Sequence, residues 1–444
     1  MKILGYRYLP LNFYILYSLF VFMCLFVGPI EYRDMDYLVL LPFVACMLFL
    51  FVVGYMLGAR GKLHTQRMLH ERQVTYRRVA RYITIMLVLG SIGSFMHLYS
   101  FFSSGGGLNL NNIGENYVAG YAGYERGQAK VDLMYIVNIL DQALSVIVIL
   151  LCFYYFTVMG KLSRLAFLFV VATYLLVNVI GSGKQKYLGD VVIFTFFCLM
   201  VNLAAKRVRV KASLVILSGL AIFIVFMIFI EVLRQRYAAA GISLDNIHEK
   251  VHQLISWDAD STIFRWVSID YGLALGIFVG YFTNGLYGLY LSLTLPFEWT
   301  YFVGNSYSLA RIAEIVVSSD GLILDQTYPY RVGLEYGWGL DKWHSLFAWL
   351  ASDITFIGVL ALTPIFSFFY ARLWLQSVRA SNPLAGPLFI YFSMGLIFSY
   401  SNNQIMHGLA GVLVLFALLI GWSWFEARGS RPSVDQAQLN GDAP

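Results

Sequence analysis

Long apolar runs alternate with short polar segments along most of the chain. Ten of these runs are about as long as a helix that crosses a ~30 Å hydrocarbon layer. The predicted spans cover residues 9–29, 37–58, 82–102, 133–157, 165–181, 187–204, 212–232, 344–371, 384–400 and 404–424. The pattern therefore predicts an all-α fold, that of a polytopic integral membrane protein.

One further apolar stretch, 271–296, could also cross a membrane, but only if 301–318 crossed back. The second segment contains Arg311 and Glu314, which are costly in hydrocarbon. We therefore predict re-entrant or interfacial helices over both stretches, because irregular backbone at membrane depth is tolerated where protein or water surrounds it. The consequence is one large extracytoplasmic loop, 233–343.

These elements divide the chain into four predicted parts. Residues 1–232 form a bundle of seven helices, 233–343 form the loop with its interfacial helices, 344–426 hold three more spans, and 427–444 form a cytoplasmic tail. The tail is polar and poor in large apolar residues, so it is predicted to be disordered.

Composition narrows the class of protein further. Apolar residues make up 59% of the chain and charged residues 13%, against roughly a quarter charged in a soluble domain. A soluble protein is therefore excluded. All four cysteines lie in apolar runs, so the sequence has neither a disulfide framework nor the spacing of metal ligands. No metal and no other cofactor is predicted.

Basic residues are concentrated in alternate loops. In the predicted topology one side of the membrane holds 19 of the 31 Lys and Arg residues but only 4 of the 25 Asp and Glu residues. Because basic loops are retained in the cytoplasm, that side, which includes both termini, is predicted to be cytoplasmic. The net charge of +6 reflects this topology and does not indicate a nucleic-acid partner.

The large loop is rich in aromatic and charged residues. Six of the nine tryptophans lie in it or just after it, together with a run of tyrosines. Ring faces pack against the C–H surfaces of sugars while charged groups bind hydroxyls, so this mixture favours a carbohydrate site. The alternative is an aromatic belt at the level of the lipid headgroups. The candidate residues are Arg234, Arg236, Arg265, Arg331, Tyr336, Trp338 and Trp343.

Two ionisable residues mark the eighth predicted span. His344 begins it, and an imidazole at the membrane surface can exchange a proton near neutral pH. Asp353 lies within it, where an acid is costly unless it is functional or pairs with a cation. Nine positions separate the two residues, which puts them on different helix faces, so they are not expected to pair. For His344 the alternative is an ordinary hydrogen-bonding role at the interface.

The same segment resembles a known motif. His344 and Ser345, then nine residues, then Thr355 and Gly358 are similar to the motif of the O-antigen ligase and polymerase superfamily. That motif has His, then Asn, Ser or Gln, nine residues, Gly, two residues and Gly, often with an acid two positions before the first Gly. Asp353 takes the position of the acid and Gly358 that of the second Gly, whereas Thr355 stands at the first Gly.

Two shorter stretches are similar to Wzy-type polymerases of oligosaccharide repeat units. Residues 180–184 open the sixth span, with Lys184 where the family usually has Arg. Residues 233–237 follow the seventh span and contain Arg234 and Arg236. The resemblance also extends to the topology, in which a multispan body and a large outer loop precede the last three spans.

The resemblance implies a metal-independent glycosyltransferase of the GT-C-like type. Its substrate would be an oligosaccharide linked to undecaprenyl pyrophosphate at the periplasmic face of a bacterial inner membrane. His344 would help to deprotonate the attacking hydroxyl, and Arg234 and Arg236 would stabilise the leaving pyrophosphate. Lys184 and Lys186 would bind the same headgroup. The remaining expected substrate contacts are Arg265, Arg331, Tyr336, Trp338, Trp343 and Asp353.

Membrane lipid, a flippase and a co-polymerase that regulates chain length are the other partners that the resemblance implies. Three other functions compete with polymerisation. An O-antigen ligase uses the same donor but passes the glycan to lipid A-core. A lipid-linked oligosaccharide flippase or transporter would need charges deep in several spans and matched halves. A structural scaffold for polysaccharide assembly would need none of the candidate residues for catalysis.

Overall fold

A computed structural model describes residues 4–60, 68–103, 113–114, 133–181, 183–205, 212–258, 260–261 and 265–429. The first half of the chain contains α1 (Leu4–Arg7), α2 (Leu9–Val27), α3 (Tyr37–Gly58), α4 (Met68–Ser103), α5 (Leu133–Tyr155), α6 (Lys161–Leu175), α7 (Lys186–Ala204) and α8 (Ala212–Ala239). The second half contains α9 (Ile247–Lys250), α10 (Ile269–Leu293), α11 (Tyr307–Val317), α12 (Tyr328–Tyr336), α13 (Leu346–Arg379), α14 (Ala385–Phe398) and α15 (Leu409–Gly429). A π-helical turn, Leu176–Gly181, extends α6.

The predicted all-α polytopic class is confirmed. Nine helices of the described chain are long and apolar enough to cross a membrane. The only sheet among the described residues pairs β1 (Ile30–Tyr32) with β2 (Ile255–Trp257) in antiparallel register, with Ile30 opposite Trp257. This small sheet joins the segment between α2 and α3 to the segment that follows α8.

Contacts distinguish two ends of the helical bundle. We call the end that carries β1 and β2 the sheet end. At the opposite end, which we call the terminal end, Trp374 Nε1 donates to Tyr6 O at 3.1 Å. There Asn382 Nδ2 also donates to Glu426 Oε2 at 3.1 Å. The first and last described segments therefore lie at the same end, which requires an even number of crossings between them.

Helix α10 lies across the sheet end. Near its start, Tyr271 OH donates to Glu231 Oε2 at 2.9 Å, close to the end of α8. Near its finish, Tyr287 OH donates to Arg33 O at 2.9 Å, just before α3. Both helix ends thus contact segments of the sheet end, although length and composition alone would let α10 cross. Helix α10 therefore does not run from one end of the bundle to the other.

Glycine lets α10 approach its neighbours closely. A Cβ atom at Gly285 would lie 2.3 Å from Ser401 O, and one at Gly288 would lie 2.9 Å from His344 Nδ1. Ser345 N donates to Gly285 O at 3.2 Å across the same contact. Side chains at these positions would push α10 away from the start of α13, so the sequence needs glycine there.

Helix α14 is shorter than a usual span, with 14 residues. Each side chain from Ala385 to Leu396 is buried, because α5, α7, α13 and α15 surround the helix. A helix that is enclosed by protein does not have to match the thickness of the lipid. The predicted span 384–400 is therefore a short central helix.

Helix α13 is kinked at Thr355, which has φ +65° and ψ 165°. This region of backbone space is occupied almost only by glycine. The Thr355 side chain caps the second part of the helix, since its Oγ1 accepts from Gly358 N at 3.1 Å. The second part, 356–379, has a length of about 36 Å, enough to cross the hydrocarbon layer by itself.

The strain at Thr355 can be tested by stability. Thr355→Gly removes the unfavourable φ of a non-glycine residue, and glycine at a helix cap costs little stability. The variant should therefore stabilise the fold by about 1 kcal/mol. Thr355→Ala keeps the strain and loses the cap, so it should destabilise by a similar amount, about 1 kcal/mol. The thermal midpoint in detergent should therefore follow the order Gly, Thr, Ala.

Ala361→Gly is the matched control, because Ala361 lies in a regular and exposed turn of the same helix. Glycine there only adds backbone freedom and should lower the midpoint. A midpoint of Thr355→Gly below that of the wild type would contradict the assignment of strain.

Candidate functional site

A polar group of side chains surrounds His407 at the sheet end. It is built from the loop between α14 and α15, the first turns of α7 and α13, and the segment that leads into α11. We call it the His407 cluster, and its members are Lys186, Asp190, Asn305, Tyr307, Trp349, Gln404 and His407. The sequence analysis identified only Lys186 among them as a site residue.

Aromatic rings hold the His407 imidazole in place. The Tyr307 ring stacks on it with centroids 5.6 Å apart, and the Trp349 ring meets it edge-on at 5.5 Å. Within the described chain, His407 Nδ1 and Trp349 Nε1 are buried and make no hydrogen bond. Asn305 Oδ1 is also buried and accepts no hydrogen bond within the described chain. Buried polar atoms are nearly always paired, so donors and acceptors gathered here indicate a place for a ligand or water.

The cluster includes a cation, Lys186. Lys186 Nζ lies 3.7 Å from Asp190 Oδ2, with the Lys186 side chain 49% exposed and that of Asp190 6% exposed. The two residues are four positions apart on α7 and share a face. Gln404 packs beside Asp190. Lys186 thus offers a positive charge to solvent while its partner lies inside the protein.

Burial keeps the His407 imidazole neutral. Desolvation first, and then the charge of Lys186, lower the pKa of His407 from 6.5 to about 4. A neutral imidazole with an unpaired nitrogen can accept a hydrogen bond or a proton from a hydroxyl group. The pKa would rise if an anion bound Lys186, because the anion would cancel the repulsion between the two cations.

His344 is enclosed by α10 and the segment before α13. Its Nε2 donates to Gly339 O at 3.0 Å, so the proton of the neutral ring is on Nε2. The bare Nδ1 faces Gly288, where a Cβ would already be only 2.9 Å away. The side chain is 1% exposed, and burial lowers its pKa to about 4. Contact between His344 and a substrate therefore needs a movement of α10 or of the segment around Gly339.

Arg234 is distant from His344. It forms a two-pronged ion pair with Glu231 at 2.7 and 2.9 Å, one turn earlier on α8. Its guanidinium also lies over Tyr271, near the start of α10, whereas His344 faces Gly288 near the end. Those two positions are about 25 Å apart along the helix axis. His344 and Arg234 were predicted to act in one reaction, but in this structure α10 separates the two.

Three of the predicted cations do lie together. Arg236 Nη1 donates to Gln185 Oε1 at 3.5 Å, and Gln185 stands between Lys184 and Lys186 in the chain. Lys184 is exposed and follows Gly183, whose φ of +65° turns the chain into α7. We call Lys184, Lys186 and Arg236 the cationic rim of the His407 cluster.

Among the described residues, no cation or histidine pairs with Asp353, contrary to expectation. Its carboxylate accepts from Thr300 Oγ1 at 2.5 Å, Gly304 N at 3.0 Å, Asn305 N at 2.8 Å and Asn305 Nδ2 at 2.6 Å. Four donors satisfy the buried charge. Asn305 and Tyr307 belong to the His407 cluster. Asp353 therefore helps to position that cluster through its hydrogen bonds to Asn305.

The remaining predicted substrate contacts make structural contacts around α10 and α12 or lie just before α10. Trp338 is fully buried and donates to Trp343 O at 3.3 Å, while Trp343 stacks on Tyr281 at 4.7 Å. Tyr336 OH lies 2.9 Å from Thr294 Oγ1. In a separate contact, Arg331 binds Glu298 Oε1 at 3.2 Å and Pro296 O at 2.7 Å. Arg265 is exposed just before α10.

An apolar cavity of about 330 Å³ lies next to the cluster, between α2, α3, α13, α14 and α15. The segment 399–407 separates the two. Ser399, Asn403, Ile405 and Met406 line the cavity, whereas Gln404 and His407 belong to the cluster. Other lining residues include Phe51, Phe347, Leu362, Ile365 and Phe392. Leu362 and Ile365 are 40% and 65% exposed, so the cavity opens towards the lipid-facing surface.

Sequence reasoning missed the loop that carries Gln404 and His407. It predicted a span over 404–424, but α15 begins at Leu409 and residues 399–408 form a loop. The polar run Ser401–Gln404 between two apolar stretches was the available signal. Among the residues that the structure describes, no group of three or more His, Cys, Asp or Glu side chains could hold a metal ion.

Comparisons of the chain with protein-family models, with curated proteins and with solved structures find no match. The chemistry of this protein therefore has to be inferred from its own residues.

The buried histidines make stability depend on pH. The pKa of folded His344 is about 4 and its unfolded value is 6.5, so the unfolded state binds more protons between these values. The stabilisation is complete above pH 6.5 and is lost as the pH falls. Between pH 7 and pH 5 the loss from His344 should be about 2 kcal/mol.

The measurement is the thermal midpoint against pH for the wild type and for His344→Gln, whose amide can still donate to Gly339 O. The variant should show a smaller fall between pH 7 and pH 5. An equal fall in both proteins would mean that His344 titrates normally in the folded state.

Proposed function

We propose that this protein is an integral membrane glycosyltransferase that polymerises lipid-linked oligosaccharide repeat units. It transfers the glycan of an undecaprenyl pyrophosphate donor onto the non-reducing end of another lipid-linked unit, in the synthesis of O-antigen, capsule or exopolysaccharide. The motif that runs from His344 to Gly358 supports this family. Thr355, at the position of the family's first glycine, has the backbone conformation that glycine favours.

One observation carries the proposal: the segment 399–407 has a polar cluster on one side and an apolar cavity on the other. A ligand that bridges both would have a polar head beside Lys186 and a hydrocarbon tail between α13, α14 and α15. Pockets select ligands by such a combination of apolar walls with a few placed polar groups. A glycan on a polyprenyl pyrophosphate has this form.

The cationic rim suits the leaving group. A hydroxyl oxygen of the acceptor forms a bond to the anomeric carbon of the donor, the bond from that carbon to the pyrophosphate breaks, and the pyrophosphate takes the bonding electrons. Lys184, Lys186 and Arg236 supply positive charge where this negative charge develops. The hydroxyl proton needs an acceptor within hydrogen-bond reach. His344 is the candidate by resemblance and His407 is the candidate by geometry.

The proposal assigns the sheet end to the periplasm and the terminal end, with both termini, to the cytoplasm of a bacterial cell. Charge supports this orientation, because Arg7, Arg60 and Arg379 lie at the terminal end. A flippase would deliver the substrate to the periplasmic side, and a co-polymerase would set the chain length. The reaction needs no nucleic acid and no cofactor.

A reconstituted assay tests the function. Purified protein in lipid nanodiscs, supplied only with lipid-linked repeat units, should produce a ladder of longer products. Lys186→Ala should reduce product formation about 10²-fold, because one preplaced charge is lost from the leaving-group site. Lys161→Ala is the matched control, since Lys161 is exposed at the start of α6, at the terminal end of the bundle, and its loss should leave the yield unchanged.

Other outcomes would identify the competing functions. Product formation that requires added lipid A-core would indicate a ligase. Movement of labelled lipid-linked glycan across the bilayer without new glycosidic bonds would indicate a flippase.

Two alanine variants distinguish the imidazoles. If His407 accepts the proton, His407→Ala should lower kcat about 10²-fold or more, and His344→Ala should act mainly through stability. The measurement is single-turnover transfer at a temperature where both variants stay folded. A full loss of transfer in folded His344→Ala, with normal transfer in His407→Ala, would assign the role to His344.

A further inference from the structure

An apolar surface lies on α11 and on the loop that precedes it. Its members are strongly exposed: Val316 is 76%, Phe302 64% and Ile315 64% exposed. We call this surface the α11 patch, and it consists of Trp299, Tyr301, Phe302, Ile312, Ile315 and Val316. The Trp299 ring also contacts the rings of Tyr301 and Phe302, with centroids 4.9 and 5.5 Å apart.

Helix α11 exposes aliphatic side chains and buries an acid. Ile312, Ile315 and Val316 share its exposed face, while Glu314 on the other face is 2% exposed. Glu314 Oε1 accepts from the backbone N of residues 323 and 324 at 3.0 and 2.7 Å, and Arg311 pairs with Oε2 at 3.0 Å. The buried acid is thus satisfied inside the protein while these three aliphatic side chains face outwards. A surface helix in water would usually bury such aliphatic groups.

Both flanks of α11 are fixed at the same level of α13. Before the helix, Asn305 N donates to Asp353 Oδ2 at 2.8 Å. After it, Tyr328 N donates to Ser352 Oγ at 3.0 Å, and the Tyr328 ring lies 4.9 Å from that of Phe356. The segments that lead into and away from the helix therefore both contact residues 352–356.

That level lies where the lipid-facing surface begins. Phe356 packs against Phe43, in the second turn of α3, with ring centroids 5.4 Å apart. The next residue of α13, Ile357, is 79% exposed on the outside of the bundle. An apolar surface at this height meets the boundary between lipid headgroups and acyl chains, where Trp, Tyr and Phe are favoured.

The backbone is strained to present the rings of this patch. Tyr301 and Phe302 have φ of +56° and +62°, a conformation that non-glycine residues rarely adopt. Asp353 holds the turn from both sides through Thr300 and Gly304. Strain maintained by a buried carboxylate indicates a purpose for the exposed rings.

We propose that the α11 patch inserts into the interfacial zone of the bilayer in which the protein resides, so that its occupant is lipid. The neighbouring lipid-facing surface at Ile357 favours lipid over a second protein. The aliphatic side chains favour lipid over a glycan, because Ile315 and Val316 offer nothing to hydroxyl groups. The inference does not depend on the proposed transferase activity.

Spin-label accessibility tests the proposal on the full-length protein in vesicles of phosphatidylethanolamine and phosphatidylglycerol. Cys46 is the only exposed cysteine of the described chain, so Cys46→Ala provides the background. A nitroxide is attached to Val316→Cys, and its collisions with oxygen and with a nickel chelate are measured. The lipid control is Ile357→Cys, and the water control is Asp320→Cys, a side chain that is 88% exposed.

The oxygen-to-nickel collision ratio at residue 316 should be about tenfold above that at residue 320 and close to that at residue 357. A ratio equal to that at residue 320 would overturn the proposal, because the patch would then face water. Low collision rates with both reagents would also overturn it, because a protein would then cover the patch. Phe302→Cys gives a second reading at the strained turn.

Discussion

The carboxylate of Asp353 is the interaction on which the sheet end depends. It accepts four hydrogen bonds from residues 300–305, a segment far away in sequence. One side of that segment carries Asn305 and Tyr307 into the His407 cluster, and the other turns aromatic rings towards the bilayer. A buried charge with complete hydrogen bonding can fix a turn that its own backbone preferences would not adopt. The site and the membrane surface are therefore positioned by one side chain.

The placement of charged side chains explains why the sheet end can bind an anionic ligand. Arg234 is paired with Glu231 on its own helix, and the Asp353 carboxylate is satisfied by uncharged hydrogen-bond donors. Lys186 keeps half of its side chain in solvent although Asp190 is near. The partly exposed lysine at the start of α7 can therefore meet an anionic ligand, while the fully paired groups maintain the architecture.

Most of the apolar helices could be predicted from the sequence, because hydrophobic length is a local property that the bilayer requires. Their number was not, since ten spans were predicted and nine helices of the described chain are long and apolar enough to cross. The prediction that α10 does not cross followed from the number of crossings. A crossing at 271–296 would require a second crossing at 301–318, and this argument needs no knowledge of contacts. The partners of Asp353 could not be predicted, because they lie 48 to 53 residues away and only the folded chain brings them together. Gln404 and His407 were missed because Ile405 and Met406 extend the apolar run across a loop.

The shared location of the first and last described segments has a consequence for engineering. Tyr6 and Glu426 contact Trp374 and Gln376, which are two positions apart on α13. A short polar linker could join these two segments without crossing the bilayer. New termini could then be opened in another loop, and a circularly permuted chain would keep every helix in its original direction. Such rearranged connectivity would show whether the order of helix insertion, or only the final packing, determines this architecture.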